Sequence, residues 1–253
     1  MQKIVVTGGT GTLGRQVVNQ LLARNLEVYV LSSRDNPAVP DKVKVIKGNL
    51  VTGEGLQNLS DANIIIHCAS NPKDAQNTDI AGTGNLLIAL DKAPMRHFIN
   101  VCIVGVDKTD YPYYKVKTAV ENLVSESGIP FTTLRATQFH DLVLNMICSF
   151  EINNGNILVP AGMKFQSIDV NEVAFRLAEL TEERPSGLLP DMGGPEVLTI
   201  EEMIKTWVDI SGQKLYVKAE AIESPRYDLF RSGVNLCPDH KYGSNTWEKF
   251  LAS

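Results

Sequence analysis

The segment TGGTGTLG at positions 7–14 constrains this chain more than any other. It follows a short apolar run at 3–7 (KIVVT) and opens a stretch with apolar residues at Leu13, Val17, Val18, Leu21 and Leu22. The first run reads as a strand and the second as an amphipathic helix over 12–24. Gly8, Gly11 and Gly14 therefore sit at GxxGxxG spacing between a strand and a helix. In that setting Gly8 allows the tight turn, Gly11 admits a pyrophosphate close to the backbone, and Gly14 lets helix and strand pack together. The helix N-terminus offers free N–H groups and a positive dipole end to phosphates. Thr10, Thr12 and Leu13 complete the predicted dinucleotide loop.

The alternation continues beyond the loop. Runs at 26–31, 43–47, 63–68, 97–103 and 131–135 read as strands, and 75–91 and 116–127 read as helices. Strands separated by helices of ten or more residues must run parallel, joined by right-handed crossovers. Near-continuous apolar runs such as IIIHC fit a sheet covered on both faces. The expected architecture is α/β, a doubly wound parallel sheet of Rossmann type. From about Gln138 the segments shorten and turns become frequent, which reads as a small C-terminal substrate lobe packed on the carboxyl end of the sheet. No Gly/Ser/Pro-rich linker separates it. The expectation is one domain over 1–253, mainly core up to 137 and mainly lobe from 138. Within the lobe, Asp169/Glu172 and Thr199/Glu202 have capping-box spacing, Ile168/Val173 and Leu198/Met203 have staple spacing, and Gly212 is placed to end a helix.

Composition narrows the function. Of 253 residues, 43% are hydrophobic and 21% charged, which excludes a disordered chain. A net charge of −5 and no Lys/Arg cluster argue against a nucleic-acid partner. No apolar run is long enough to span a membrane, and the start lacks a secretory pattern, so a cytoplasmic protein is expected. Cys68, Cys102, Cys148 and Cys237 form no ligand spacing, and His67 and Cys68 point to opposite faces of a strand. They read as free thiols, with no metal site. No GxSxG occurs, and His140-Asp141 has no serine elbow to complete a triad. Trp207 and Trp247 fall at apolar helix positions and read as core.

The end of the second strand bears on the cofactor. NAD sites place an acid there to bind the ribose hydroxyls. Here the segment is Leu31-Ser-Ser-Arg34, and an acid comes only one position later, at Asp35. Hydroxyls at Ser32 and Ser33 with the Arg34 guanidinium suit a 2′-phosphate, and Arg15 adds a second cation nearby in sequence. NADP(H) is therefore expected in preference to NAD(H).

With these residues in view, the chain resembles the short-chain dehydrogenase/reductase superfamily, most of all its atypical branch of NmrA-like and quinone-reductase-like NAD(P)-binding proteins. Gly48-Asn-Leu50 is similar to the family's GDL segment beside the adenine, with Asn49 in place of the acid and Leu50 following. Cys68-Ala69-Ser70 resembles its small-residue segment along the cofactor, and Thr137 and Gln138 fall where the family lines the nicotinamide side. The segments at 194–202 and 246–251 resemble its substrate-lobe helix entry and closing helix.

Tyr113-Tyr-Lys-Val-Lys117 matches the family's YxxxK signature, with Tyr111 and Tyr114 as alternatives in the same patch. Four residues apart on a helix, the two side chains share one face. The resemblance implies that Lys117 holds the nicotinamide ribose and lowers the Tyr113 pKa, and that Tyr113 exchanges a proton with a substrate oxygen. One departure stands out: Cys102 occupies the place where related sequences carry a hydrogen-bonding serine, and a thiol is a poor donor.

The sequence thus points to an NADP(H)-dependent oxidoreductase for a small, moderately apolar carbonyl or quinone-like substrate. Gln138, Phe139 and His140, with Met163 and Phe165, are expected around that substrate in a cleft between sheet and lobe. Sheet-covering helices of this kind often pair across a two-fold axis, so a homodimer is expected. The Cys102 departure favours an alternative, a non-catalytic NADP(H)-binding sensor acting through a protein partner. A nucleotide-sugar epimerase ranks last, because it needs the missing hydroxyl and a longer lobe.

Overall fold

The protein is described by a computed structural model covering residues 2–253. In chain order its elements are β1 (Ile4–Thr7), α1 (Thr12–Ala23), β2 (Val28–Ser32), β3 (Lys44–Lys47), β4 (Ile64–His67), α2 (Gly82–Leu90), β5 (His97–Ile103), α3 (Pro112–Glu126) and β6 (Phe131–Ala136). Then come α4 (His140–Cys148), β7 (Ile152–Asn153), β8 (Asn156–Pro160), β9 (Lys164–Phe165), α5 (Val170–Glu179), β10 (Gly187–Leu188) and β11 (Leu198–Thr199). The last are α6 (Ile200–Ser211), β12 (Tyr216–Glu220), α7 (Pro225–Ser232) and α8 (Trp247–Leu251).

Seven strands form the main sheet in the order β10-β6-β5-β4-β1-β2-β3. Pairing is parallel, with Ile4 beside Val28 on one side and Ile64 on the other. The strand order reverses at β1, so the chain winds outward in both directions, as the doubly wound reading requires. The central strands β1 and β4 are buried along their whole length, because helices cover both faces of such a sheet. β3 lies at one edge and exposes Lys44 and Lys47, charges that discourage a further strand from adding there.

The chain divides into two compact units. The first holds Met1–Cys102, Pro112–Leu134 and Asn171–Leu189. Its apolar core gathers Val5 and Ile65 from the central strands, Leu31, Ile46 and Phe98 from their neighbours, and Leu86, Leu87 and Leu90 from α2. The second holds Ile103–Tyr111, Arg135–Val170 and Pro190–Ser253. It contains a three-stranded sheet, β12-β8-β7, and the β11-β9 pair. The chain passes between the units several times, and α5 with β10 falls in the first.

Two helices differ from their sequence-based bounds in ways that matter for the site. The helix expected over 75–91 begins as a π-helical turn, Gln76–Ala81, before α2. There the Thr83 hydroxyl donates to the Asp79 carbonyl oxygen at 2.5 Å, inserting a side-chain bond into the helical ladder. α3 starts at Pro112, four residues before the expected position, with proline at its first position, where no N–H is needed. That start places Tyr113 in the first turn. In the second unit the Thr199/Glu202 capping box forms and Gly212 ends α6 at φ 66°. The Asp169 carboxylate accepts a hydrogen bond from the Asn245 amide at 2.5 Å.

Candidate functional site

The glycine loop is built as its spacing demands. Gly8 has φ +65°, and a Cβ there would lie 2.7 Å from the Ala69 nitrogen; a Cβ on Gly14 would lie 2.2 Å from the Gly8 carbonyl oxygen. Both contacts are with backbone, so neither position accepts a side chain. Gly11 is different: it is exposed, and its nearest neighbour would be 3.2 Å away. The fold itself makes little demand for glycine there, whereas a phosphate approaching from outside would. No side chain caps α1 and no acid stands in its first turn, so its leading N–H groups face outward ready for an anion. Thr10, Thr12 and Leu13 lie in this loop and first turn, with Thr12 exposed and Leu13 buried. The loop thus fits a dinucleotide.

After β2, Ser33 and Arg34 are exposed. Arg34 has no ion-pair partner among the described residues, and neither has Arg15. Asp35 is taken up by Lys47 at 2.5 Å, and that lysine, which also donates to the Ser33 carbonyl oxygen at 2.7 Å, holds the carboxyl below its ordinary value. Asn49 accepts the Val51 N–H on its side-chain oxygen at 2.9 Å, which leaves its NH2 group for another acceptor. The Leu50 carbonyl oxygen accepts from the Asn85 amide at 2.8 Å.

Beneath the loop lies a polar chain that joins four segments of the first unit. The Ala69 N–H donates to the Thr7 hydroxyl, which donates to His67 Nδ1 at 2.8 Å. On the other side His67 Nε2 meets the Thr83 hydroxyl at 3.0 Å. Because that hydroxyl gives its hydrogen to the Asp79 carbonyl, Nε2 must be the protonated ring nitrogen. Burial, reinforced by the Lys117 charge, pushes His67 down to about 3, so the ring is neutral.

The Asp79 side chain faces the surface end of this chain. Its Oδ1 accepts the Ser70 hydroxyl at 2.6 Å and pairs with Lys117 Nζ at 3.4 Å, while Oδ2 accepts the Asn71 N–H at 3.0 Å. Ser70 Oγ in turn lies 2.7 Å from Tyr113 Oη. Asp79 and Lys117 are 1% and 5% exposed, Tyr113 is half-buried and Ser70 is exposed. Tyr113 and Lys117 thus meet through Ser70 and Asp79, whereas Tyr114 is buried in the core. Asp79 was missed. The signal was present: it falls four residues before Thr83 and eleven before Leu90, an acid on the helix's buried stripe.

The electrostatics differ from the expectation in one respect. Burial raises the Tyr113 pKa, and it outweighs the opposing Lys117 charge and Ser70 hydrogen bond. The phenol is neutral and carries its proton at neutral pH. For Lys117, burial opposes the charge, but the acidic groups at Cys102, Tyr113 and Asp79 outweigh it and leave the ammonium above its ordinary value. Cys102 is buried, with its sulfur 4.0 Å from the Lys117 carbonyl oxygen. The hydroxyl beside Tyr113 therefore comes from Ser70 after β4. Burial pushes the Cys68 thiol up to about 12, which keeps it uncharged.

In the second unit, Thr137 is buried and donates to the Gln166 carbonyl oxygen at 2.5 Å. The Gln138 side-chain oxygen accepts from the Asn235 amide at 3.1 Å. His140 is fully buried, bonded through Nδ1 to the Ser167 hydroxyl at 2.8 Å and through Nε2 to the Asn245 carbonyl oxygen at 3.0 Å. Met163 and Phe165 are fully buried too, Phe165 against Phe230. His140, Met163 and Phe165 thus correct the substrate-lining expectation, because a side chain with no exposed surface meets no ligand. Phe139 is half-buried. Trp247 is core, as expected, and its indole N–H donates to the Met203 carbonyl oxygen at 2.9 Å. No trio of His, Cys, Asp or Glu is placed to hold a metal among the described residues.

A doubly wound sheet with an anion-ready glycine loop at the end of β1 defines a nucleotide-binding Rossmann protein. Residues 8–177 match the profile of the NAD(P)H-binding family, and the chain belongs to that family. Its fold is the NAD(P)-binding Rossmann fold that the glycine loop and strand alternation implied. Among solved structures it is similar to a nucleoside-diphosphate-sugar epimerase from Staphylococcus aureus, at TM-score 0.82 and 18% identity over 100% of both chains. It is also similar to an NADPH-dependent quinone oxidoreductase from Escherichia coli complexed with NADPH, at TM-score 0.80 and 16% identity over 98% of each chain. Among curated proteins, the photosystem II assembly factor Ycf39 of Trieres chinensis is 26% identical over 85% of this chain and 70% of its own length. Across three curated relatives, the chain spans 56%, 70% and 45% of the relative's length. No helix among the described residues is long and apolar enough to cross a membrane.

Proposed function

We propose that the protein is an NADP(H)-dependent oxidoreductase acting on a small carbonyl or quinone-like compound. The observation that carries this reading is the Lys117–Asp79 ion pair buried directly behind the Tyr113 and Ser70 hydroxyls. Desolvating two charges costs several kcal/mol per ion. A tyrosine serving packing alone needs no such backing, whereas one that must give up and regain a proton does.

In this reading the backbone at Gly8, Gly11 and Gly14 and the first turn of α1 hold the pyrophosphate. Ser33 and Arg34 hold the 2′-phosphate, since a guanidinium matches phosphate geometry with two parallel hydrogen bonds. Asn49 and Leu50 border the adenine, Cys68, Ala69 and Cys102 border the path of the cofactor, and Lys117 holds ribose hydroxyls. When bound, the dinucleotide supplies the hydride. Tyr113, a neutral phenol with its proton in place, supplies the proton to the acceptor oxygen. Hydride to carbon and proton to oxygen together convert a carbonyl to an alcohol.

The test is NADPH consumption by the purified protein across quinones, aldehydes and ketones, with cofactor affinity measured separately. Saturable turnover that Tyr113→Phe abolishes while NADPH still binds supports the reading. Turnover unchanged in Tyr113→Phe refutes the role of Tyr113.

The second reading is a non-catalytic NADP(H)-binding protein that works through a protein partner. Cys102, in place of a hydroxyl on β5, favours it, and so does similarity to a relative named as an assembly factor. NADPH binding without turnover on any acceptor, together with a partner whose affinity depends on NADPH, would favour this reading over the first.

A further inference from the structure

We propose that Ser70 is the working hydroxyl partner of Tyr113, and that Asp79 fixes the direction of its hydrogen bond, so that Tyr113, Ser70 and Asp79 form one proton wire. The proposal rests on the reading of Tyr113 as proton donor given above and adds two residues to it.

The direction follows from a count of hydrogens. Ser70 has one, and Asp79 Oδ1, a carboxylate acceptor 2.6 Å away, takes it. Ser70 Oγ can then only accept from Tyr113 Oη at 2.7 Å. The carboxylate cannot turn away, because Asn71 N–H holds Oδ2 at 3.0 Å and Lys117 Nζ lies 3.4 Å from Oδ1. At rest the Tyr113 proton therefore points at Ser70. On β5 the Cys102 sulfur lies 4.0 Å from the Lys117 carbonyl oxygen, and a thiol is a poor donor in any case.

During reduction the Tyr113 O–H bond breaks as the proton joins the acceptor oxygen. The Ser70 hydrogen then turns from Asp79 to the new phenolate and transfers to it. Ser70 is exposed, so its oxygen regains a proton from a solvent hydronium ion, which leaves as water. One proton departs with the product and one enters from solvent. Asp79 finishes as the same carboxylate and acts as a positioning residue, holding the Ser70 lone pairs toward Tyr113 in readiness for the next turnover.

The test reads Tyr113 directly. Ring-labelled tyrosine NMR of the full chain, with Tyr113 identified as the signal lost in Tyr113→Phe, follows its ionisation with no acceptor present. Ser70→Ala removes the donor that would stabilise the phenolate, so its titration should move up by about one pH unit. Ser70→Thr should bring it back. Asp79→Asn removes a negative charge that opposes phenolate, so its titration should move down by a similar amount. Where the curve runs beyond the folded range, the fraction ionised at one fixed alkaline pH gives the same ordering. Mere loosening of the site would hydrate Tyr113 and move both variants down. A Ser70→Ala titration that is unchanged or lowered therefore overturns the proposal. Because no turnover is measured, this outcome is independent of the acceptor panel: the wire can stand where no acceptor is found, and can fail where turnover is present.

Discussion

His67 should make the fold acid-sensitive well above the pH at which carboxylates protonate. The ring is wholly buried, its two nitrogens are bonded to the Thr7 and Thr83 hydroxyls, and burial depresses it from 6.5 to about 3. Below pH 6.5 the unfolded chain binds a proton at this histidine and the folded chain does not. Stability is thus fully present above 6.5 and falls as pH drops toward 3, by about 1.4 kcal/mol per pH unit. Between pH 6.5 and 5, where carboxylates contribute little, His67 alone accounts for a loss of about 2 kcal/mol. That is a sizeable part of the roughly 5–15 kcal/mol that holds a domain together. His97 is depressed as well, mainly by burial, and adds in the same direction. The assay is urea unfolding at half-unit steps across this window. His67→Gln keeps one donor and one acceptor but cannot titrate, so its stability should change with pH less steeply by about 1.4 kcal/mol per unit. Equal slopes in the two proteins would refute the argument.

Other outcomes follow from the same geometry. Tyr113→Phe should lower turnover by about 10²–10⁴-fold with NADPH affinity preserved, as initial rates and fluorescence titration would show. Arg34→Ala should weaken NADPH binding by about tenfold and leave NADH binding unchanged, because only the 2′-phosphate is lost as a partner; equal losses for both cofactors would remove Arg34 from that role. Gly14→Ala forces a Cβ to within 2.2 Å of the Gly8 carbonyl oxygen, so the loop must shift. Its melting temperature should fall and its NADPH affinity should drop, and an unaltered melt would contradict the packing described.

The central sheet was legible because its signals are local. KIVVT, IIIHC and HFINVCI are apolar runs that suit only a strand covered on both faces, and each became one. The glycine loop was legible for the same reason, since a strand–glycine–helix sequence leaves few backbone solutions. The expected role of His140 fared differently: adjacency to Thr137 and Gln138 suggested a ligand-facing residue, but packing buried it between Ser167 and Asn245, each distant in sequence.

Strand alternation, the glycine spacing and the four-residue step from Tyr113 to Lys117 depend on backbone periodicity, and periodicity is written along the chain. The partner of Tyr113 is not. Ser70 lies 43 positions away and Asp79 lies 38 from Lys117, joined only because the loop after β4 and the π-turn before α2 meet α3. Hydrogen bonds and desolvation act through space, so the neighbours of Tyr113 and the burial of the Lys117–Asp79 pair were decided by tertiary structure alone.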